Sequence, residues 1–365
     1  MPNTHEAVRR RRERVVAEMQ KQERDVLVAG SPSAVAYLTD VDIRPFSGTG
    51  ATVVVAGDGG TTLVIADSDA GFAVDAGFDG EVVTWRSGPG SSSERERLVR
   101  ERSAAGALSP SHAAAERCAG AILDAAARVK DDDELRRIRQ AANLADIGYT
   151  AVVDRMHPDL RVLEIVRNVD RSLRAAGGGG WWSPLEDDAG VTADSLYPHS
   201  SIATFLGRRA ETGVLDRAEP LPFALYPLSE VYAGAAGTTI VLAEPSAELR
   251  SRASLLTDAI GASIAAARPG ATGQDVQAAF AGAVAGRVPD RVASQSVGYS
   301  LGTGVGRPHL AAGSRDALEP GSVLSIRASL PGETGAPVAY QTTIVITPTG
   351  NDVLNIVPLR LIELY

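Results

Sequence analysis

The strongest constraint on the fold lies near the carboxyl end, where two segments rich in β-branched residues flank a turn. They read "SVLSIRASL" (322–330) and "PVAYQTTIVIT" (337–347). Runs of Val, Ile and Thr separated by Pro and Gly predict two strands joined by a turn. Each strand carries a long polar side chain among apolar neighbours, Arg327 in the first and Gln341 in the second. Because a buried cation requires a partner, Arg327 is a candidate functional residue.

The remainder of the chain predicts two domains. Its 365 residues are 44% hydrophobic, which is enough for more than one core. A charged helix at the amino terminus and short strands after Asp25, among them the segment 33–43, predict a smaller α/β domain over residues 1–128. Long helices around a mostly antiparallel sheet predict an α+β domain over residues 129–365. The sequence therefore predicts two folded units of different class.

Charge and hydropathy limit the classes of partner. The formal net charge of −9 argues against a surface that binds nucleic acid. The basic run Arg9 to Val15 is interpreted as the solvated face of a helix. No apolar run reaches the roughly 18 residues of a membrane span, and the amino terminus does not have the pattern of a signal peptide. Together with the single cysteine, Cys118, these features predict a cytoplasmic protein that binds no membrane.

Motifs along nearly the whole chain, in order, resemble the creatinase/aminopeptidase P/prolidase family. The segment "RVKDDDELRRIRQAANLAD" (128–146) is similar to the helix that opens the family's catalytic domain. The segment "LGTGVGRPHL" (301–310) resembles its Gly-His-Gly-Ile-Gly…His motif, and 322–330 and 337–347 resemble its two closing strands. The resemblance implies a pita-bread catalytic domain after a creatinase-type amino-terminal domain, and a homodimer.

The family's metallopeptidases hold two divalent ions with two Asp, one His and two Glu. In this chain those places are filled by Pro227 or Tyr226, Thr238 or Gly237, Thr303, Arg327 and Gln341. A guanidinium cannot be deprotonated and repels a divalent ion. The resemblance thus implies a divergent member with neither metal ligands nor a cofactor. It also implies creatinase-type chemistry, in which a His assists C–N bond cleavage in small nitrogen compounds without metal.

The resemblance assigns roles to three further residues. His199 matches the pocket histidine that transfers protons, a role suited to imidazole because its ordinary pKa is near neutrality. His309 lies one residue nearer the glycine motif than the second pocket histidine, so it is either a pocket residue or a loop residue. Arg327 either binds a ligand's carboxylate or phosphate, or forms an internal salt bridge with Glu230 or Glu333.

Neutral residues complete the candidate site. Trp182, which follows Trp181 after four glycines, is either a pocket wall or a packing plug. Hydroxyl and amide groups in the same cavity either orient a polar ligand or satisfy one another. These groups belong to Tyr226, Thr303, Tyr340 and Gln341.

The leading hypothesis is a metal-independent, creatinase-like enzyme. It would hydrolyse a C–N bond, or catalyse a related proton transfer or elimination, in a small, polar, anionic, nitrogen-containing ligand. The alternative is a catalytically inactive pita-bread protein that serves as a binding or scaffold protein. Polar replacements at the ligand places favour the enzyme, since a decayed cavity would fill with Leu and Val. A metal-dependent Xaa-Pro aminopeptidase or dipeptidase would need ligands that the five scattered histidines do not supply.

Overall fold

The computed structural model describes residues 4–41, 51–86, 91–103, 112–157, 162–178, 180–181, 220–332 and 337–364. The chain forms two compact units, Met1–Ala127 and Arg128–Tyr365. This division lies one residue before the boundary expected from the sequence. Each unit has its own hydrophobic core. Across the described ranges, no helix combines the length and apolar character that crossing a membrane would require.

The amino-terminal unit is built on a four-stranded sheet in the order β1–β2–β3–β4. The first three strands pair antiparallel and β3 pairs parallel with β4. Its elements are α1 (Thr4–Lys21), β1 (Val26–Ala29), α2 (Pro32–Thr39), β2 (Thr52–Ala56), β3 (Thr61–Ala66), α3 (Ala70–Asp75), β4 (Glu81–Trp85), α4 (Ser91–Ser103) and α5 (His112–Ala127).

One segment of this unit differs from the strand expected over residues 33–43, because helix α2 occupies most of it. Ser31 caps the helix, its hydroxyl accepting from the backbone N–H of Ala34 at 3.3 Å, and Pro32 occupies the first turn. Asp40 ends it in the left-handed conformation, with φ of 58°. A short apolar run fits a buried helix as well as a strand, and here the cap decides between them.

The basic run Arg9 to Val15 is not wholly solvated, which corrects the interpretation from the sequence. Arg11 is 1% exposed, and its Nη2 lies 2.6 Å from Oδ1 of Asp40. Arg12 is also buried, and its Nη1 lies 2.7 Å from Oδ1 of Asp79. These partners are 29 and 67 residues away along the chain, so the local pattern could not indicate them.

The carboxyl-terminal unit contains an eight-stranded sheet, and its mixture of sheet and helices confirms the α+β class. The path is β11–β10–β12–β13–β9–β15, with β14 on β13 and β6 on β9. Only β15 and β9 pair parallel among the described strands of this sheet. A second sheet has the order β5–β7–β8. The elements are α6 (Asp132–Val153), α7 (Val162–Ala175), β5 (Gly180–Trp181), β6 (Leu221–Leu225), β7 (Pro227–Ser229), β8 (Tyr232–Ala233), β9 (Ala236–Val241), α8 (Ala247–Ala266), α9 (Gly273–Val284), α10 (Asp290–Ala293), β10 (Gly298–Leu301), β11 (Val305–His309), β12 (Val323–Leu330), β13 (Val338–Thr347), β14 (Gly350–Val353) and β15 (Leu361–Glu363).

The apolar residues of β12 and β13 fix which side chains face the helices. Leu324 and Ile326 on β12, with Tyr340 and Ile344 on β13, belong to the core that includes residues of α8 and α9. Successive side chains of a strand point to opposite faces. The odd-numbered residues between them, including Arg327, therefore project from the other face of the sheet.

Candidate functional site

Strand pairing brings Arg327 and Gln341 directly opposite each other on β12 and β13. Gln341 is in turn opposite Gly237 on β9, and Gly237 is opposite Ala224 on β6, so one row crosses four strands. Directly opposed residues project from the same face of a sheet. A second row on this face is offset by two residues along β12 and β13. We call this surface the Arg327 face, made of Ala224, Gly237, Tyr299, His309, Ser325, Arg327, Gln341 and Thr343.

A chain of neutral hydrogen bonds orders the middle of the Arg327 face. The hydroxyl of Tyr226, in the link between β6 and β7, donates to Oε1 of Gln341 at 2.8 Å. Nε2 of Gln341 donates to Oγ of Ser325 at 2.7 Å. All three side chains are buried. These bonds hold the plane of the Gln341 amide between the two hydroxyls.

Arg327 is a buried cation that has no counter-ion among the residues that the structure describes. Its guanidinium carbon lies 5.2 Å from the ring centroid of Tyr299, and the residue is only 6% exposed. Among the described residues, its Nε and Nη1 are buried with no hydrogen-bond partner. Glu230, one of the two salt-bridge partners considered, instead pairs with Arg137 at 2.7 Å, and Glu333 lies outside the described residues. The aromatic ring offsets only part of the cost of burying this charge.

His309 lies at the edge of the same face. Tyr299 is opposite Ser325 on one side and opposite His309 on the other. His309 ends β11 and is half-buried. The pairing places the backbone of His309 opposite that of Tyr299, at a point where the register of β10 and β11 shifts, and both alternatives for its side chain stay predictions from the sequence.

Tyr340 does not line the Arg327 face, contrary to the expectation from the sequence. It neighbours Gln341 on β13, so its side chain points to the opposite face, where it belongs to the core with α8 and α9. Burial raises the pKa of its hydroxyl well above the ordinary value for tyrosine. Thr303 is buried in the turn between β10 and β11, and this turn is tied to β8 by a 2.9 Å bond from Ala233 N to Gly302 O.

Two of the predicted site residues, His199 and Trp182, lie outside the residues that the structure describes. The neighbouring Trp181 ends β5 and pairs with Pro227 on β7. The roles expected for His199 and Trp182 therefore remain predictions from the sequence.

The two aspartate places of the resembled family supply no ligand in either alignment. Pro227 belongs to the separate three-stranded sheet, whereas the alternative Tyr226 contacts Gln341. The hydroxyl of Thr238 donates to the carbonyls of residues 358 and 360, at 2.9 Å each. The alternative, Gly237, faces Gln341, but a Cβ there would lie 2.7 Å from a backbone carbonyl oxygen. No carboxylate side chain fits at that position without movement of the backbone.

The residues that the structure describes do not fit a pair of divalent metal ions. Within the described ranges, no group of three or more His, Cys, Asp or Glu is placed to hold an ion. Arg327 contributes a fixed positive charge where the resemblance expects a carboxylate, and divalent ions of this kind need anionic oxygen ligands. Gln341 is neutral and bound to Tyr226 and Ser325.

A second buried arginine in the same unit was not anticipated from the sequence. Arg137 on α6 has its Nε 2.9 Å from Oδ2 of Asp133 and its Nη1 2.7 Å from Oε2 of Glu230. Its guanidinium carbon lies 5.7 Å from the ring centroid of Tyr232, whose hydroxyl donates to Glu134 at 3.0 Å. The i, i+4 spacing of Asp133 and Arg137 is a local signal that could have indicated the pair.

Sequence reasoning also missed four members of the Arg327 face, namely Ala224, Tyr299, Ser325 and Thr343. Ser325 could have been found, because it lies two residues before Arg327 on one strand and so shares its face. Tyr299 could not, since its position depends on the register between β10 and β12.

Comparison with known proteins identifies relatives of both units. Residues 136–348 match the family model of metallopeptidase family M24, and residues 11–149 match that of the creatinase/prolidase N-terminal domain. A curated relative, the uncharacterized peptidase YqhT of Bacillus subtilis (strain 168), is 26% identical over 241 residues, which is 65% of this chain. The match spans only 64% of that relative's length.

Solved structures share the fold at low sequence identity. A prolidase from Thermococcus sibiricus superposes with a TM-score of 0.76 at 15% identity, covering 97% of this chain and 98% of that one. The N-terminal domain of FACT complex subunit SPT16 from Cicer arietinum (chickpea) gives 0.67 at 14% identity, covering 99% of each chain. One of these proteins is named as an enzyme and the other as a subunit of a complex, so the shared fold does not set the function.

Proposed function

The chain belongs to metallopeptidase family M24, and from that premise we propose that it is a metal-independent hydrolase. Its substrate is a small, polar, anionic molecule with a C–N bond that the enzyme cleaves. The observation that carries the proposal is Arg327, a buried guanidinium at a place where metal-dependent relatives are expected to hold a carboxylate ligand, with no counter-ion among the described residues. The charge of the Arg327 face thus suits an anion and not a cation.

Arg327 binds the negative group of the substrate in this proposal. A guanidinium offers planar N–H donors that match the two oxygens of a carboxylate. Nε and Nη1 are buried without partners among the described residues, so a ligand oxyanion would satisfy donors that folding leaves unmet. The attraction is stronger here than at a surface because little water screens it.

Gln341 and the histidines supply the remaining roles. The bonds from Tyr226 and to Ser325 hold the Gln341 amide in place before ligand arrives, and a fixed dipole of this kind can orient a substrate carbonyl. Hydrolysis of a C–N bond needs a base to take a proton from water and an acid to protonate the leaving nitrogen. His199 is proposed for both steps, with His309 beside Tyr299 as a second imidazole.

A non-catalytic binding protein is the second candidate. The Tyr226–Gln341–Ser325 chain supports it, since these neutral groups satisfy one another and none of them activates water. In that case Arg327 would hold a ligand or partner anion without turnover. We also propose a homodimer, a small-molecule ligand and a cytoplasmic location for either candidate.

Metal content and hydrolysis test the proposal together. Protein purified without chelator should contain less than about 0.1 equivalent of Mn, Zn, Co or Fe per chain. Amine release from a panel of N-acyl amino acids and dipeptides should be insensitive to chelator and should be lost in His199→Ala. Two metal ions per chain, or hydrolysis that stops on chelation, would overturn metal independence. Binding of panel members without turnover would favour the second candidate.

A further inference from the structure

The described side chains of the Arg327 face include a guanidinium and no carboxylate. Apart from the imidazole of His309, the described side chains that accompany Arg327 are methyl, hydroxyl, amide or absent: Ala224, Gly237, Tyr299, Ser325, Gln341 and Thr343. A ligand ammonium beside a buried guanidinium would be repelled by a like charge in a medium of low dielectric constant. The charge of the described part of the face therefore favours a bound anion and disfavours a second cation.

Three carboxylates of α6 and the β7–β8 turn are engaged with partners other than Arg327. Asp133 contacts both Arg136, at 2.7 Å, and Arg137, at 2.9 Å. Glu230 pairs with Arg137. Glu134 accepts from the Tyr232 hydroxyl and completes the helix cap. Because neighbouring cations or donors already offset the charge of these carboxylates, they attract a ligand ammonium less strongly than a free carboxylate would.

We infer that the substrate carries one net negative charge and no cationic group. This chemical class comprises N-acyl amino acids, lactam carboxylates and ureido acids, and it excludes molecules with a free ammonium or guanidinium group. The inference rests on the anion site of the proposed function and adds the exclusion of a cationic group. It separates the substrate from unblocked dipeptides, which carry an ammonium group at neutral pH.

The same charge distribution assists product release. In the hydrolysis, the oxygen of water bonds to the acyl carbon, the C–N bond breaks, and the nitrogen departs with a proton that water supplied. The new carboxyl group then loses its proton to solvent, and the product amine takes one up and becomes an ammonium. Arg327 repels that ammonium, so the amine product binds less tightly than the substrate did.

Calorimetric titration with three small probes of similar size tests the inference at constant ionic strength and pH 7.5. N-acetylglycine is an anion with a neutral amide, glycylglycine is a zwitterion, and N-acetylglycinamide is uncharged. Wild type should bind N-acetylglycine at least about tenfold more tightly than either other probe. Arg327→Met should remove the preference, and Arg327→Lys, which keeps the charge, should retain part of it. Circular dichroism establishes that each variant is folded.

The outcomes separate this inference from the proposed function. If glycylglycine and N-acetylglycine bind wild type equally and both lose affinity in Arg327→Met, the anion site stands and the inference that the substrate has no cationic group is wrong. If N-acetylglycine binds wild type no better than folded Arg327→Met, the anion site itself fails, and the proposed function fails with it.

Discussion

Two buried arginines in the carboxyl-terminal unit have similar surroundings but opposite charge balance. Arg137 lies 5.7 Å from the ring centroid of Tyr232, and Arg327 lies 5.2 Å from that of Tyr299. Arg137 contacts the carboxylates of Asp133 and Glu230. Arg327 has no ion pair among the described residues, and two of its nitrogens have no hydrogen-bond partner there. Folding gives the first guanidinium two carboxylates, although its Nε also makes no hydrogen bond of good geometry, and it gives the second guanidinium none among the described residues.

Burial alone therefore does not identify an arginine that stabilises the fold. A buried cation with matched carboxylates resists removal, because its loss leaves unpaired anions behind. A buried cation without them lowers the stability of the folded protein, and a protein retains it where binding benefits. The two sites should therefore respond to the same substitution with opposite signs.

Arg137→Met should give the largest effect, a loss of about 3–5 kcal/mol in the free energy of unfolding. The substitution keeps apolar volume but leaves the buried carboxylate of Asp133 without its inner partner. Urea titration followed by circular dichroism measures the loss. Arg136→Met is the matched control, because Arg136 contacts the same carboxylate from a side chain that is 43% exposed, and it should cost less than about 1 kcal/mol. Equal effects would contradict the comparison.

Arg327→Met should raise the free energy of unfolding by about 1–3 kcal/mol in buffer without carboxylate or phosphate. The substitution removes a buried charge whose Nε and Nη1 lack partners. The same urea titration measures the change. A decrease in the free energy of unfolding as large as that expected for Arg137→Met would show that Arg327 stabilises the fold, and it would contradict the contrast between the two arginines.

Tyr226→Phe should lower the free energy of unfolding by about 1 kcal/mol, since Oε1 of Gln341 loses the bond from the hydroxyl. Tyr226→Phe and Gln341→Leu should couple by a similar amount in a double-mutant cycle. Thr238→Val is the control for the cycle and should not couple with Gln341→Leu. The hydroxyl of Thr238 donates to the carbonyls of residues 358 and 360, and not to Gln341. If the changes in unfolding free energy for Tyr226→Phe and Gln341→Leu simply add in the double variant, the hydrogen bond between the two side chains does not contribute to stability.

Asp146→Asn should give the smallest change in the free energy of unfolding, and this change should depend on pH. Burial raises the pKa of Asp146 above its ordinary value of 3.8, although its Oδ1 accepts from the backbone N–H of Ile356 at 3.0 Å. Because the folded state holds the proton more tightly, wild type should lose stability relative to Asp146→Asn as pH rises from about 4 through the raised pKa. Urea titrations of both proteins across that range measure the difference, and a difference independent of pH would contradict it.

The sequence was sufficient for the fold class and the family, because ordered motifs and strand periodicity carry that information. It was also sufficient to single out Arg327 and Gln341 as candidates, since each interrupts an apolar strand. It misassigned Tyr340, although strict alternation along β13 excludes two adjacent residues from one face. The partners of Arg137 at Glu230 and of Arg327 at Tyr299 depend on how distant segments pair, which local patterns do not encode.

Stability as a function of anion concentration tests the central claim most directly. The free energy of unfolding of wild type and Arg327→Met would be measured in rising N-acetylglycine at constant ionic strength. A ligand that binds only the folded state adds RT ln(1 + [L]/Kd). We predict that wild type is the less stable protein without the anion, gains with each increase, and overtakes Arg327→Met, which stays level. If the free energy of unfolding changes in parallel with N-acetylglycine concentration in both proteins, the claim that Arg327 binds an anion is contradicted.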